Sequence, residues 1–201
     1  MVGPRPVIGG GSVHTVRNIA ILVGSLRKAS LSRHAAHTLM TVAPESMLLG
    51  IVEIGQLPHY NQDADGDDGA PAPWVTFRNE IKPADAVLFV TPEYNRSVPG
   101  VLKNAIDVGS RPHGHSVWDR KPAAILSISP GAIGGFGANH HLRQSLVFLN
   151  MPILQQPEAY IGGAATLFSD DGSITNERTE EFFRDFMERF AAWIEVNLAG
   201  R

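Results

Sequence analysis

Five short apolar runs, each separated from the next by a stretch of helical periodicity, constrain this chain more than any other feature. Ile19-Ala20-Ile21-Leu22-Val23 has the length and branching of a buried strand, and residues 47–52 read the same way. Residues 86–90 and 123–128 supply a third and fourth, and 158–161 a weaker fifth. Between them the apolar spacing predicts helices over 31–42, 73–82, 98–108 and 138–149, with a last helix over about 176–198. Phe182, Phe183, Phe186, Phe190, Trp193 and Ile194 recur along that last helix at the spacing core packing requires. Alternation of strand and helix without internal repeats leaves few topologies. A parallel sheet with helices on both faces and right-handed crossovers is expected, and five strands fit a three-layer α/β sandwich of order 2-1-3-4-5.

With 201 residues and 43% hydrophobic content the chain can bury one full core. Residues 17–201 are therefore expected as a single domain behind a flexible Gly- and Pro-rich extension, 1–16. The formal charge of -3 gives no electrostatic reason to expect nucleic acid or an anionic membrane as partner. Absence of Cys excludes disulfides, iron–sulfur clusters, thiolate-zinc sites and a cysteine nucleophile, and fits a reducing compartment. No apolar stretch approaches the length of a bilayer span, and residues 1–15 lack the continuous apolar region of a signal peptide. A cytoplasmic protein is expected.

Other chemistries find little support. His34 and His37 share a helix face, His113 and His115 flank Gly114, and His140 adjoins His141, but no carboxylates stand at ligand spacing, so no metal is assigned. Gly-x-Ser-x-Gly, the nucleophile elbow of hydrolases, does not occur. Asp63, Asp65, Asp67 and Asp68 lie within a polar segment, 55–73, that lacks the Glu at position twelve and the helical flanks of a calcium hand; a solvated acidic loop is expected. Lys103 and Asp107, four apart on one helix, read as a surface ion pair.

Three loops that follow strands carry the interest. After the first strand comes Gly24-Ser25-Leu26-Arg27-Lys28-Ala29-Ser30-Leu31-Ser32, where a helix N-terminus, hydroxyls and a guanidinium together suit an anion. Taken alone, Ser30 could equally be a plain helix cap and Arg27 a surface charge. No P-loop triplet and no spaced-glycine dinucleotide fingerprint is present. After the third strand runs Thr91-Pro92-Glu93-Tyr94-Asn95-Arg96-Ser97-Val98-Pro99-Gly100-Val101-Leu102-Lys103-Asn104-Ala105-Ile106-Asp107, stiffened by two prolines, with Pro99 placed as a first helical residue. After the fourth comes Ser127-Ile128-Ser129-Pro130-Gly131-Ala132-Ile133-Gly134-Gly135-Phe136-Gly137, whose glycines allow close backbone approach to a flat ligand.

The run from Thr91 to Asp107 resembles the signature of the NAD(P)H-dependent FMN reductases, a flavodoxin-like family that includes bacterial quinone, chromate and azo-dye reductases. The resemblance covers roughly residues 17–165 and includes Leu57-Pro58-His59-Tyr60-Asn61-Gln62-Asp63. It implies a flavodoxin-like fold and bound FMN, with NADPH or NADH as donor. Ser25, Arg27, Ser30, Leu31 and Ser32 would grip the phosphate, where the family often has Asn in place of Ser32. Pro92, Glu93, Tyr94, Asn95 and Ser97, with Ser129, Gly131, Gly134 and Gly135, would line the ring. No side chain is a catalyst, because the flavin carries the redox work. Implied acceptors are flavins, quinones, azo compounds or metal oxyanions, reduced by a ping-pong mechanism. The implied assembly is a homodimer or homotetramer, with the 57–63 loop near a neighbour's flavin and Arg143 and Glu158 as polar interface residues. A flavodoxin-type electron carrier and a flavin-binding regulatory module are the alternatives; modest acidity argues against the carrier, whose basic partners would favour a strongly negative face.

Overall fold

The computed structural model describes residues 15–66 and 69–199. Most of the expected extension, 1–14, and Asp67 and Asp68 of the acidic loop lie outside the described residues.

Five parallel strands form one sheet in the order β2-β1-β3-β4-β5, as the alternation predicts. They are β1 (Arg17–Val23), β2 (Met47–Ile51), β3 (Ala86–Thr91), β4 (Ala123–Ile128) and β5 (Ala159–Ile161). The helices are α1 (Leu31–Val42), α2 (Ala72–Ile81), α3 (Gly100–Gly109), α4 (Phe136–Phe148) and α5 (Glu177–Leu198). Side chains alternate across each strand, so an apolar run covered on both faces serves two cores. Ile19, Ile21, Leu88, Val90 and Leu126 pack with Ala35 and Leu39 of α1 and with Phe183, Phe186 and Phe190 of α5. Ala20, Leu22, Val87, Phe89 and Ile125 pack with α2, α3 and α4 through Trp74, Phe77, Leu102, Ile106, Leu142 and Leu146. The aromatic stripe of α5 is core, as its spacing predicts.

Three expectations change. β2 takes the edge that the expected order gives it, but it is not the buried strand its apolar run predicts: Leu48 is 62% exposed, because β1 alone pairs with it. α3 begins at Gly100, so Pro99 (ψ 141°) is its cap rather than its first residue. Asp65 is not solvated: its carboxylate is buried and takes both Nη1 (2.9 Å) and Nη2 (2.7 Å) of Arg78. Arg78 is itself tied to the Val108 carbonyl through Nε at 2.9 Å, which clips the acidic loop to α2 and α3. Among the described residues no helix is long and apolar enough to cross a membrane.

Parallel strands place all carboxyl ends on one edge. The segments after β1, β3 and β4 therefore emerge side by side, with β1 and β3 adjacent. From β1 the chain crosses to β2 on one side, and from β3 to β4 on the other, so the β1/β3 crevice is the point where α/β sheets admit ligands.

Candidate functional site

Gly24 joins the first two loops. A methyl group there would stand 2.8 Å from Thr91 Oγ1 and 3.2 Å from Pro92 Cδ, so only glycine lets the loop after β1 lie against the loop after β3. From Gly24, whose N–H donates to Val90 O at 2.9 Å, the chain passes buried Ser25 and exposed Arg27 into α1. Ser25 Oγ accepts from Arg27 N at 3.4 Å. Ser30 caps the helix, with its Oγ 3.2 Å from Arg33 N. The N–H groups of Leu31 and Ser32 precede any helical carbonyl they could reach, and no acidic side chain occupies the first turn. Ser32 Oγ is buried without a hydrogen-bond partner. Arg33 clamps α1 to the segment after β2 by a fork to Glu53, 2.8 Å for each bond; that guanidinium holds the Glu53 carboxyl below its usual range.

The loop after β3 closes on itself. Tyr94 N and Ser97 N each donate to the other's carbonyl at 3.0 Å, and Asn95 (φ 52°) and Arg96 (φ 65°) turn the chain between them. Pro92 has no N–H, so in this loop Glu93 and Asn95 carry the remaining backbone donors among the residues the resemblance assigns to the ring. The Glu93 carboxylate faces away from such a role, since Oε2 accepts from Ala138 N at 3.0 Å in the first turn of α4. Ser97 Oγ lies 2.9 Å from His141 Nδ1, and Tyr94 stands 45% exposed.

The loop after β4 is bound mainly to its own surroundings. Ser129 N donates to Ile161 O at 2.9 Å, and Ser129 Oγ accepts from Gly131 N at 3.1 Å. Gly134 (φ 60°) and Gly135 (φ 77°) lie flat on neighbouring backbone and β4. A methyl group on Gly134 would come within 2.6 Å of the Tyr160 carbonyl carbon. Both glycines thus have a packing reason to be there, whatever ligand approaches them.

Several residues that organise the edge carry no mark in the sequence. Asn104, on the buried face of α3, holds the 57–60 segment: its Oδ1 accepts from Tyr60 N at 2.8 Å and its Nδ2 donates to Pro58 O at 3.0 Å. An Asn among apolar neighbours on a helix was the one available signal. Tyr160 sits between His140 (Nε2 to the phenol oxygen, 2.9 Å) and Glu158, and its pKa is raised by burial first and by the Glu158 carboxylate second. Arg143 donates through Nε to Asn139 Oδ1 and through Nη1 to Leu154 O, both at 3.0 Å, while its Nη2 is buried without a hydrogen-bond partner. Lys103 and Asp107 form the exposed pair expected of them, at 2.7 Å. Among the described residues no three His, Asp or Glu side chains converge as metal ligands would.

A doubly wound parallel sheet with an anion-ready helix start beside a stiff loop at its switch point defines a flavodoxin-like protein. The model of the family described as NADPH-dependent FMN reductase matches residues 17–166. A quinone reductase of Pseudomonas putida is 60% identical over 184 residues, 92% of this chain and 98% of that one. A 2-hydroxy-1,4-benzoquinone reductase of a Burkholderia species is 46% identical over 88% of this chain and 95% of its own. Among solved structures, the flavoenzyme NAD(P)H:(acceptor) oxidoreductase FerB of Paracoccus denitrificans superposes with a TM-score of 0.84 at 42% identity, covering 90% of this chain and 99% of that one. The chain belongs to the NADPH-dependent FMN reductase family. It is an oxidoreductase, with FMN as cofactor and NAD(P)H as electron donor. The residues present fit that cofactor: unpaired N–H groups at the α1 start and the orphaned Ser32 hydroxyl suit a phosphate.

Proposed function

We propose that the chain holds FMN across the β1/β3 crevice and reduces quinones at the expense of NAD(P)H, both substrates using one open ring face in turn. FMN supplies the hydride chemistry when bound. Ser25, Arg27 and Ser32, with the Leu31 and Ser32 N–H groups, hold its phosphate, and Ser30 fixes the helix start that presents them. Backbone at Pro92, Glu93, Tyr94, Asn95 and Ser97 positions and polarises the ring on one side, and Ser129, Gly131, Gly134 and Gly135 approach it on the other. The observation that carries the reading is the buried, unpartnered Ser32 hydroxyl at an uncompensated helix N-terminus, because a native fold rarely leaves such a group unsatisfied. Quinones are favoured as acceptors because two of the similar proteins named above are a quinone reductase and a 2-hydroxy-1,4-benzoquinone reductase; flavins, azo compounds and metal oxyanions are further candidates.

The decisive experiment is direct. The purified protein is expected to be yellow, to bleach with NADPH under anaerobic conditions, and to regain colour when a quinone is added. A colourless protein that neither binds FMN nor oxidises NAD(P)H would overturn the reading, and a yellow one indifferent to NAD(P)H would favour an electron carrier or regulatory module.

A homodimer or homotetramer in the cytoplasm completes the proposal, with residues 17–201 acting as one domain. Exposed Phe148 (88%), Val147 (68%) and Phe136 (48%) on α4 support self-association. Light scattering showing a fully active monomer at assay concentration would rule the oligomer out.

A further inference from the structure

Arg96 occupies a backbone conformation that suits it poorly. In a two-residue hairpin turn with positive φ at both central positions, the second is usually glycine. Asn95 tolerates such a conformation through its short polar side chain, whereas an arginine there crowds its own Cβ. An outlier of this kind at a ligand-facing edge points to a use for the side chain.

The surroundings narrow that use. The Arg96 carbonyl lies against Gly137, where an added methyl would come within 2.8 Å of it. The guanidinium is 76% exposed, and among the described residues its one ion-pair contact is Nη1 to Glu93 Oε1 at 3.5 Å. A contact so long and so exposed contributes little to stability. Glu93 is bonded through its other oxygen to Ala138 N, so the carboxylate is a fixed post that aims the guanidinium without neutralising it firmly. Across the crevice stand two more exposed cations, Arg27 and Lys28. The edge of the sheet is thus flanked by positive charge, although the chain as a whole is negative.

We propose that Arg96 is a specificity-determining residue that receives the anionic oxygen group of a substrate arriving at the ring face. This rests on the reading that the β1/β3 crevice holds FMN. A planar guanidinium fork matches phosphate, sulfonate or an ionised enol, so the group is carried by the dinucleotide donor or by an anionic acceptor. Hydride passes as before. Arg96 decides which molecules are held long enough to react.

The test uses FMN-loaded wild type, Arg96→Gln and Arg96→Gly. Donors are NADPH and the uncharged 1-benzyl-1,4-dihydronicotinamide; acceptors are 1,4-benzoquinone and 1,4-naphthoquinone-2-sulfonate. Each kcat/KM is measured at low and high salt, and NADP+ binding is titrated calorimetrically. We expect both variants to retain FMN and to turn over the uncharged pair at wild-type rates. Arg96→Gly should melt at or above the wild-type temperature, because the backbone strain is gone.

The charged partner should lose about 5- to 30-fold in kcat/KM, with a weakened salt dependence. Loss with NADPH, matched by weaker NADP+ binding, assigns the anion to the donor. Loss with the sulfonate alone assigns it to the acceptor. Unchanged kinetics, equal losses for charged and uncharged substrates, or a marked fall in melting temperature for Arg96→Gly would each overturn the proposal. So would loss of FMN from the variants, which would put Arg96 in the cofactor's own site. Wild type that holds no FMN would sink the flavin reading first, and this proposal with it.

Discussion

The loop after β1 and the loop after β4 leave the same edge of the sheet on either side of β3, yet they dispose of their polar groups in opposite ways. In the first, the Ser32 hydroxyl is buried without a partner and the α1 start has donors that the helix cannot use. In the second, Ser129, Gly131 and Gly163 bond one another, and the left-handed glycines fit against Tyr160 and Ser127. One loop holds capacity in reserve for a ligand; the other is used up by the fold. Unsatisfied hydrogen-bonding capacity, more than glycine content, distinguishes a loop suited to grip a charged group from one suited only to offer its backbone to a flat surface.

The comparison is broken most severely if the second loop tolerates a side chain. Gly134→Ala puts a methyl 2.6 Å from backbone atoms at φ 60°. We expect a loss of about 2–4 kcal/mol and a fall in Tm of about 5–15 °C. Thermal melting followed by circular dichroism checks it. A variant as stable as wild type would mean that this loop is looser than its contacts indicate.

Arg27→Ala probes the first loop with a smaller effect confined to the ligand. The side chain is exposed and its loss should leave folding intact. Removing a charge-assisted contact to phosphate is worth about 1.5–3 kcal/mol, or roughly 10–100-fold in the Kd for FMN. Riboflavin, which lacks phosphate, should bind both proteins alike. Equal FMN affinity before and after substitution would remove Arg27 from the site.

Ser32→Ala sharpens the contrast because its two effects have opposite signs. Removing a buried, unpartnered hydroxyl should leave the FMN-free protein as stable or more stable, by up to about 1 kcal/mol. The same change should weaken FMN about 5-fold. Ser129→Ala, whose hydroxyl serves only Gly131, should alter FMN and riboflavin binding equally. Paired melting and flavin titration read all four quantities.

How much of this was legible in the residues varies with the range of the interaction. The strands and both cores followed from local periodicity, since each run of branched residues carries its own burial pattern. The exposure of β2 did not, because residues 47–51 are as apolar as a central strand and nothing in them marks Leu48 as solvent-facing. Asp65 looked solvated because its partner Arg78 lies on the next helix, 13 residues along the chain. Among the site residues, Ser30 was balanced between cap and ligand, and it does cap α1. Glu93 resisted reading because its carboxylate answers to α4, forty-five residues later. The hairpin tip was hidden for another reason: Asn95 is followed by Arg rather than the glycine that announces such turns.

The mildest test sets the two loops against pH. α1, which presents the first loop, is clamped by Glu53 on Arg33, and Arg33 depresses the Glu53 pKa. A depressed carboxyl stabilises the fold fully above its unfolded pKa and loses that contribution as pH falls through its folded value. The second loop has no ionisable side chain, but it rests on Tyr160, whose pKa is raised by burial and by Glu158. A raised phenol has the reverse dependence: its contribution is complete below the unfolded pKa, near 10, and disappears as pH climbs through the folded one. The α1 side should therefore loosen first in acid and the β5 side first in alkali. Because Glu53 is 56% exposed, its share is only about 0.2–1 kcal/mol. Amide exchange in the FMN-free protein, compared near pH 3.5 and pH 10.5, would resolve the two ends separately. Glu53→Gln should flatten the acid response of α1 and leave the alkaline response of β5 unchanged, with Tyr160→Phe doing the converse. If both regions loosen together at either extreme, the edge behaves as one cooperative unit and the contrast between its loops stops at ligand binding.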